Sequence, residues 1–327
     1  MKVWVTPGRG ELVMAERPLP SAGAGEVVVE VEACGICRTD LHVIDRELPE
    51  HRASVIPGHQ IVGTVVEVGD GVTHLHLGAR VGVPWLHRTC GACTWCLQGR
   101  ENLCPASTYT GWDEDGGFAE YTVAEAAFVY ALPPDAEPGL TAPLLCAGII
   151  GYRALTRANL PPAGTLGVYG FGSSAHLAAQ VAQAGGARVF VMTRGEDNRQ
   201  LARELGADYV GDERSEPPEE LDAAIIFAPA GELVPSALRA TTRGGTVVLA
   251  GIHMTDLPRL EYADTLFYER DLRTVTANTR ADGVAFLRVA GALQLTPTVR
   301  RYSFADIPSA IDDLRSGRAR GSLVMTC

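Results

Sequence analysis

Four cysteines fall within fifteen residues of this chain, Cys90, Cys93, Cys96 and Cys104, in the pattern C-x2-C-x2-C-x7-C. Thiolates at that spacing suit a tetrahedral zinc ion, because each C-x2-C turn brings two sulfurs together while its peptide N–H groups point at the metal–sulfur charge. Paired disulfides, free thiols and an iron–sulfur cluster are the competing readings. A long chain with no secretory signature disfavours disulfides, and the spacing differs from the usual iron–sulfur patterns. Four thiolates would close such a zinc, leaving no position for a substrate. This cluster therefore fastens a loop, and the chemistry lies elsewhere.

Three further donors are scattered: Cys37 in "ACGICRTDLH", His59 in "VIPGHQIVG" and Cys146 in "LLCAGIIGY". Judged singly, each cysteine reads as an inert core thiol and the histidine as a satisfied core or surface residue. The run "GVYGFGSSAHLAAQVA" is a different kind of feature. It follows an expected strand and opens an expected helix. There Gly170 and Gly172 would allow a tight turn and close approach of a pyrophosphate to the helix N-terminus at Ser173. Ala175 takes the third small position, where the helix must pack near the strand.

The elements that must carry these residues divide in two. Up to about residue 130, "KVWV", "ELVMAE", "EVVVEVEACGI", "IVGTVVEVG" and "FAEYTVAEAAFVYAL" read as short strands punctuated by Gly and Pro. From Gly164, strands alternate with helices: "TLGVYG", "ARVFVMT", "DAAIIFA", "TVVLAG" and "LRTVTA" are separated by helical or turn segments. That alternation implies βαβ units and a parallel sheet, and the unbroken apolar runs imply strands buried on both faces. Beyond 280 a helix-like stretch precedes an expected strand, helix and final strand. The expected organisation is α/β: an irregular β-rich domain over 1–147, a doubly wound Rossmann domain over 148–279, and a return to the first domain over 280–327.

Composition agrees with a globular, folded chain, with 46% hydrophobic and 20% charged residues. The net charge of −11 argues against a general nucleic-acid binder. No apolar run approaches the roughly 20 residues of a membrane span, so no membrane partner is expected. The first twenty residues lack the apolar core and cleavage site of a signal peptide, and a cytoplasmic location is expected.

"GICRTDLH", "PGHQIVG", "LLCAGIIGYRAL", the four-cysteine run and the glycine-rich turn occur in one order along the whole chain. In this the sequence resembles the zinc-dependent alcohol dehydrogenases of the medium-chain dehydrogenase/reductase superfamily, whose first domain is GroES-like and partly barrel-shaped. The resemblance implies two zinc ions per chain. Cys37, His59 and Cys146 would hold a catalytic zinc, with room for an alcohol or water at the fourth position, and the four clustered cysteines a structural one. It places Thr39 against the substrate oxygen and His42 at the outer end of a proton relay through the cofactor ribose. It places Asp40 behind His59, and Arg38 beside the pyrophosphate. Many members carry Glu directly after the ligand histidine; Gln60 stands here, as in some bacterial branches, and activity is expected to survive. By the same alignment Trp85, Leu86, Leu48 and Trp112 line the substrate pocket.

Counting from the resemblance, Thr193 stands where an NAD enzyme presents its acid, and Arg194 follows. Loss of the carboxylate ends repulsion of a 2′-phosphate, and Arg offers a charge-assisted partner, so NADP(H) is expected before NAD(H). The expected reaction is reversible hydride transfer between a primary or secondary alcohol and NAD(P)+, with an aldehyde or ketone as product. The active site would lie in the cleft between the two domains. Family habit implies a homodimer or homotetramer. A polyol or sugar dehydrogenase is disfavoured by Cys146 and the intact cluster. A non-enzymatic relative would be expected to lack one of the ligands.

Overall fold

The computed structural model describes residues 1–327, which divide into two compact units. One comprises Met1–Cys146, Thr279–Val284 and Thr298–Cys327; the other comprises Ala147–Asn278 and Ala285–Pro297. The tail thus returns to the first unit, but not all of it. Residues Ala285–Pro297, most of a helix over Arg280–Leu293, group with the second.

The first unit is built on a seven-stranded sheet whose long member is Glu26–Ile36. It pairs antiparallel with Gln60–Val68, with Tyr121–Glu125 and with the C-terminal strand Ser322–Thr326. Register shifts between Val28 and Val29 and between Val31 and Ala33 bend this strand, giving the irregularity expected of the domain. The expected strand over "FAEYTVAEAAFVYAL" is broken. Tyr121–Glu125 ends in a 3-10 turn at Ala126–Phe128, and Tyr130–Ala131 starts again on a different partner. The core beneath joins both ends of the chain: Val3, Val29, Ile61 and Phe118 cluster with Ile307, Ile311 and Leu323.

The second unit is a six-stranded parallel sheet. Its strands are β1 (Thr165–Tyr169), β2 (Arg188–Met192), β3 (Tyr209–Gly211), β4 (Leu221–Ile226), β5 (Thr241–Leu249) and β6 (Asp271–Thr274). They lie side by side in the order β3-β2-β1-β4-β5-β6, the doubly wound arrangement of dinucleotide-binding domains. Both faces are covered. Val189 and Val191 enter one cluster with Leu166 and Ile225, while Phe190 and Met192 enter the other with Ile226 and Leu249. That is why these strands read as continuous apolar runs.

Candidate active site

Cys37 sits at the N-cap of a seven-residue helix, Arg38–Ile44, and Asp40 occupies its third position. The Asp40 carboxylate reaches back to accept the Cys37 N–H at 2.8 Å, closing a capping box. Its other oxygen accepts the Gly58 N–H at 3.1 Å and faces His59 Nδ1 at 3.1 Å. One buried side chain thus ties the helix carrying Cys37 to the loop carrying His59. With Nδ1 committed to Asp40, Nε2 is the His59 atom turned towards Cys37 Sγ, 3.4 Å away. Cys146, on the turn before the helix Ala147–Ala158, completes a set whose three ligand atoms lie within 4.8 Å of one another.

These distances fit a metal. Donors at zinc-like bond lengths and tetrahedral angles stand about 3.5–3.8 Å apart. The electrostatics ask for positive charge at the same spot. Burial alone would depress the His59 pKa, but Asp40 and the Cys37 thiolate outweigh it and push the ring up to about 10. Cys37 is held well below the ordinary thiol range, first by a hydrogen bond from Cys146 and then by His59, while Cys146 is pushed up as its partner. A divalent cation would supply that positive charge and bind both sulfurs as thiolates. Gln60 is buried over Gly35 of the paired strand, so closely that a methyl group on Gly35 would meet its Oε1 at 2.7 Å.

Around this set stands an aromatic wall. Trp85 meets the His59 ring edge-on at 4.8 Å and stacks on Tyr109 at 4.9 Å and Trp112 at 5.9 Å. His51 stacks on Trp112 at 4.4 Å, and Trp112 Nε1 donates to the Pro49 carbonyl. Leu48 and Trp112 line a small cleft with Thr6, Val43 and Val55, whereas Leu86 is wholly buried in a two-stranded ribbon with Tyr109. Tyr109 and His51 carry no motif that would have singled them out; only the fold stacks them here. Thr39 is buried with its hydroxyl in hydrogen-bonding reach of Cys37. His42, one turn on, is buried with its Nδ1 against the Glu47 carboxylate.

The four clustered cysteines form a second donor set, again within 4.8 Å of one another. Sulfurs of Cys93 and Cys96 are 3.6 Å apart and those of Cys90 and Cys96 4.0 Å, bracketing the tetrahedral value of about 3.8 Å. Peptide N–H groups aim inward: Cys93 donates to Cys90 Sγ and Cys90 to Cys104 Sγ. Hydrogen bonds from Ala92 and Cys93 bring the Cys90 thiol down to about 6. Glu101, inside this loop, is clasped by the Arg280 guanidinium through both carboxylate oxygens, and Arg280 also lies over Phe128 at 4.4 Å. Sequence reasoning missed this pair, whose members are 179 residues apart.

In the second unit, β1 ends in Gly170, whose φ of +86° only glycine adopts without strain. The helix Ser173–Ala184 starts from Gly172, and a side-chain carbon on Gly172 would meet no protein atom within 4 Å. That open space at a helix N-terminus is where a pyrophosphate fits. Ala175 is fully buried against the sheet. Thr193 follows β2, but its hydroxyl turns inward to accept the Phe171 N–H at 3.1 Å. Arg194 turns outward and pairs with Glu213, its Nε 3.2 Å from the carboxylate. Arg38 is exposed on the first unit.

A β-rich unit with two sulfur-rich donor sets, joined in one chain to a doubly wound dinucleotide unit, defines a zinc-type dehydrogenase. Residues 23–134 match the alcohol dehydrogenase GroES-like domain and residues 175–291 the zinc-binding dehydrogenase family. The chain is 52% identical over 314 residues to the probable alcohol dehydrogenase AdhA of Mycobacterium tuberculosis, covering 94% of this chain and 90% of that protein. Acetophenone reductase from Geotrichum candidum in complex with NAD is similar, with a TM-score of 0.90, 27% identity, and coverage of 100% of this chain and 97% of that one. So is CAD from Helicobacter pylori complexed with NADP(H), with a TM-score of 0.90, 26% identity, and coverage of 100% and 99%. The chain belongs to the zinc-dependent alcohol dehydrogenases of the medium-chain dehydrogenase/reductase superfamily. It is an NAD(P)-dependent oxidoreductase that interconverts alcohols with aldehydes or ketones.

Proposed function

We propose that this dehydrogenase works with two zinc ions of unequal duty and favours primary alcohols and their aldehydes, with NADP(H). The observation that carries this reading is the contrast between the donor sets: three donors at Cys37, His59 and Cys146, four at Cys90, Cys93, Cys96 and Cys104. A three-donor set leaves a position for a substrate oxygen, and a four-donor set leaves none. Zinc in the first set would polarise the carbon–oxygen group, and the nicotinamide would exchange the hydride.

The chain's own residues do the rest. Asp40 holds the His59 ring with Nε2 towards the donors. Thr39 takes the hydroxyl proton of the alcohol while releasing its own, and His42 carries the proton outward to solvent. Trp85, edge-on to His59 and backed by Trp112, narrows the space beside that ring, which supports unbranched or flat primary substrates over bulky secondary ones. The absence of a carboxylate at Thr193 and the outward Arg194 support NADP(H). Exposed Tyr262, Phe267 and Tyr268, near the edge strand β6, support a homodimer or homotetramer. Two thiol-rich donor sets support a reducing, cytoplasmic setting.

The test is a kinetic matrix of ethanol, 1-hexanol, benzyl alcohol and 2-butanol against NADP+ and NAD+, with zinc content measured on the same samples. Two zinc equivalents per chain, a higher kcat/KM for the primary alcohols and a higher kcat/KM with NADP+ are expected. One zinc per chain, or equal or better kcat/KM with NAD+, would overturn the corresponding part.

A further inference from the structure

We infer that His51 is a positioning residue that sets which alcohols fit: its imidazole, fixed by Asp113, holds the Trp112 indole in the plane that walls the substrate space, and so disfavours alcohols branched at the reacting carbon. The inference rests on the reading of Trp85 and Trp112 as pocket walls given above, and it assigns a role to two residues outside every motif in the sequence.

Burial does not hold the whole wall. Trp85 is buried, at 6% exposure, whereas Trp112 is only half-buried. A half-buried indole keeps room to turn about its side-chain bonds, so specific contacts must set its plane. Two of them come from one segment. Trp112 Nε1 donates to the Pro49 carbonyl at 2.9 Å, and the His51 ring lies against the indole with centroids 4.4 Å and planes 21° apart. In that orientation Trp112 is parallel to Trp85 within 6°, and Trp85 meets His59 edge-on. Ring contacts thus run without a break from His51 to His59.

The imidazole needs an anchor of its own, because its side chain is 42% exposed. Asp113 supplies it: Oδ1 faces His51 Nδ1 at 2.5 Å, while Oδ2 accepts the Tyr109 N–H at 2.8 Å. The Asp113 N–H donates to the Tyr109 carbonyl at 3.0 Å, so this carboxylate is built into a tight turn. A contact between side chains this exposed adds little to folding. What it contributes is the place it gives the imidazole. A wall held in one plane sorts alcohols by shape. A primary alcohol carries a single carbon substituent at the reacting carbon, whereas a secondary one carries another that must meet the wall. The effect falls on ground state and transition state alike, so it belongs in KM.

The test uses the zinc-loaded full chain, the cofactor with the higher kcat/KM in the matrix above, and the isomers 1-butanol and 2-butanol. His51→Ala, His51→Gln, His51→Phe and Trp112→Ala are compared by kcat, KM and Tm. Expected for His51→Ala is a fall of about fivefold in the ratio of kcat/KM for 1-butanol to that for 2-butanol, carried by KM, with Tm as in the parent. His51→Gln offers Asp113 an N–H but no ring and should behave like His51→Ala. His51→Phe keeps a ring and should restore at least half of the lost ratio. A loss shared equally by the two isomers would mark a merely structural residue and refute the inference, as would parent selectivity in His51→Gln. If Trp112→Ala lowers the ratio but His51→Ala does not, the role of His51 is refuted and the wall stands. If the parent does not favour 1-butanol, or Trp112→Ala leaves the ratio unchanged, the wall reading fails, and with it this inference.

Discussion

Asp40 Oδ1 stands 3.1 Å from His59 Nδ1, and both side chains are sealed from solvent at 1% exposure. The same carboxylate accepts the N–H groups of Cys37 and Gly58, so it serves three donors with two oxygens. An amide has one accepting oxygen, and its NH2 group would confront at least one of those donors. Asp40→Asn should therefore lower turnover or zinc occupancy 10- to 100-fold with little change in shape. Zinc analysis together with kcat checks this. Full zinc occupancy with unchanged kcat would contradict it.

The two donor sets should fail differently. Cys93→Ser removes one of four ligands from a loop that has little apolar burial of its own, so one zinc equivalent should be lost and Tm should fall by several degrees. Cys37→Ser should abolish turnover while Tm stays near the parent value. Thermal unfolding, zinc content and kcat on both variants decide the matter. A Cys93→Ser protein of unchanged Tm but no activity would sink the division of labour.

Two glycines of one loop should part company in the same manner. At Gly170 a side-chain carbon would sit 2.9 Å from the Ala228 nitrogen on a backbone of φ +86°, so Gly170→Ala should cost several kcal/mol or prevent folding. At Gly172 it would meet no protein atom, so Gly172→Ala should fold with unchanged Tm and yet raise the KM for the cofactor about tenfold or more. Cofactor titration by fluorescence and thermal unfolding measure both. An unchanged KM for Gly172→Ala would mean that the open space is not used.

His176 makes stability depend on pH. Burial depresses its pKa to about 4, against 6.5 for a free histidine. Between those values the unfolded chain binds a proton that the native ring refuses, so stability rises with pH across this window. From pH 6.5 down to 4, up to about 3 kcal/mol should be lost from this group. His176→Gln has no proton to take up and should flatten that part of the curve. Urea unfolding at several pH values, read as the difference between parent and variant, tests it. Parallel curves would refute the assignment.

Much of this protein can be read from local pattern. The parallel sheet is legible because a strand covered on both faces must be apolar throughout, as "AAIIFA" and "TVVLA" are, and because helix-length segments separate the strands. The dense cysteine run is legible as a donor set because its four thiols come from one loop, so spacing alone nearly sets their geometry. The broken strand at Ala126–Phe128 was not, since nothing in "EAAFV" opposes continued pairing and the change of partner depends on what lies alongside.

The sequence by itself determined which residue types are on hand: the two sulfur-rich sets, the glycine turn, and the absence of an acid after β2. Tertiary structure alone decided which of them meet. Cys37, His59 and Cys146 are separated by up to 109 residues, and only the pairing of Glu26–Ile36 with Gln60–Val68, with Asp40 as the tie, brings the first two into contact. Thr193 follows β2 by count, but only the fold turns its hydroxyl to the Phe171 N–H, because the buried loop N–H needs an acceptor. Local spacing sets the direction of a side chain within one turn or strand. Contacts across scores of residues depend on the whole core closing, and no short pattern records them.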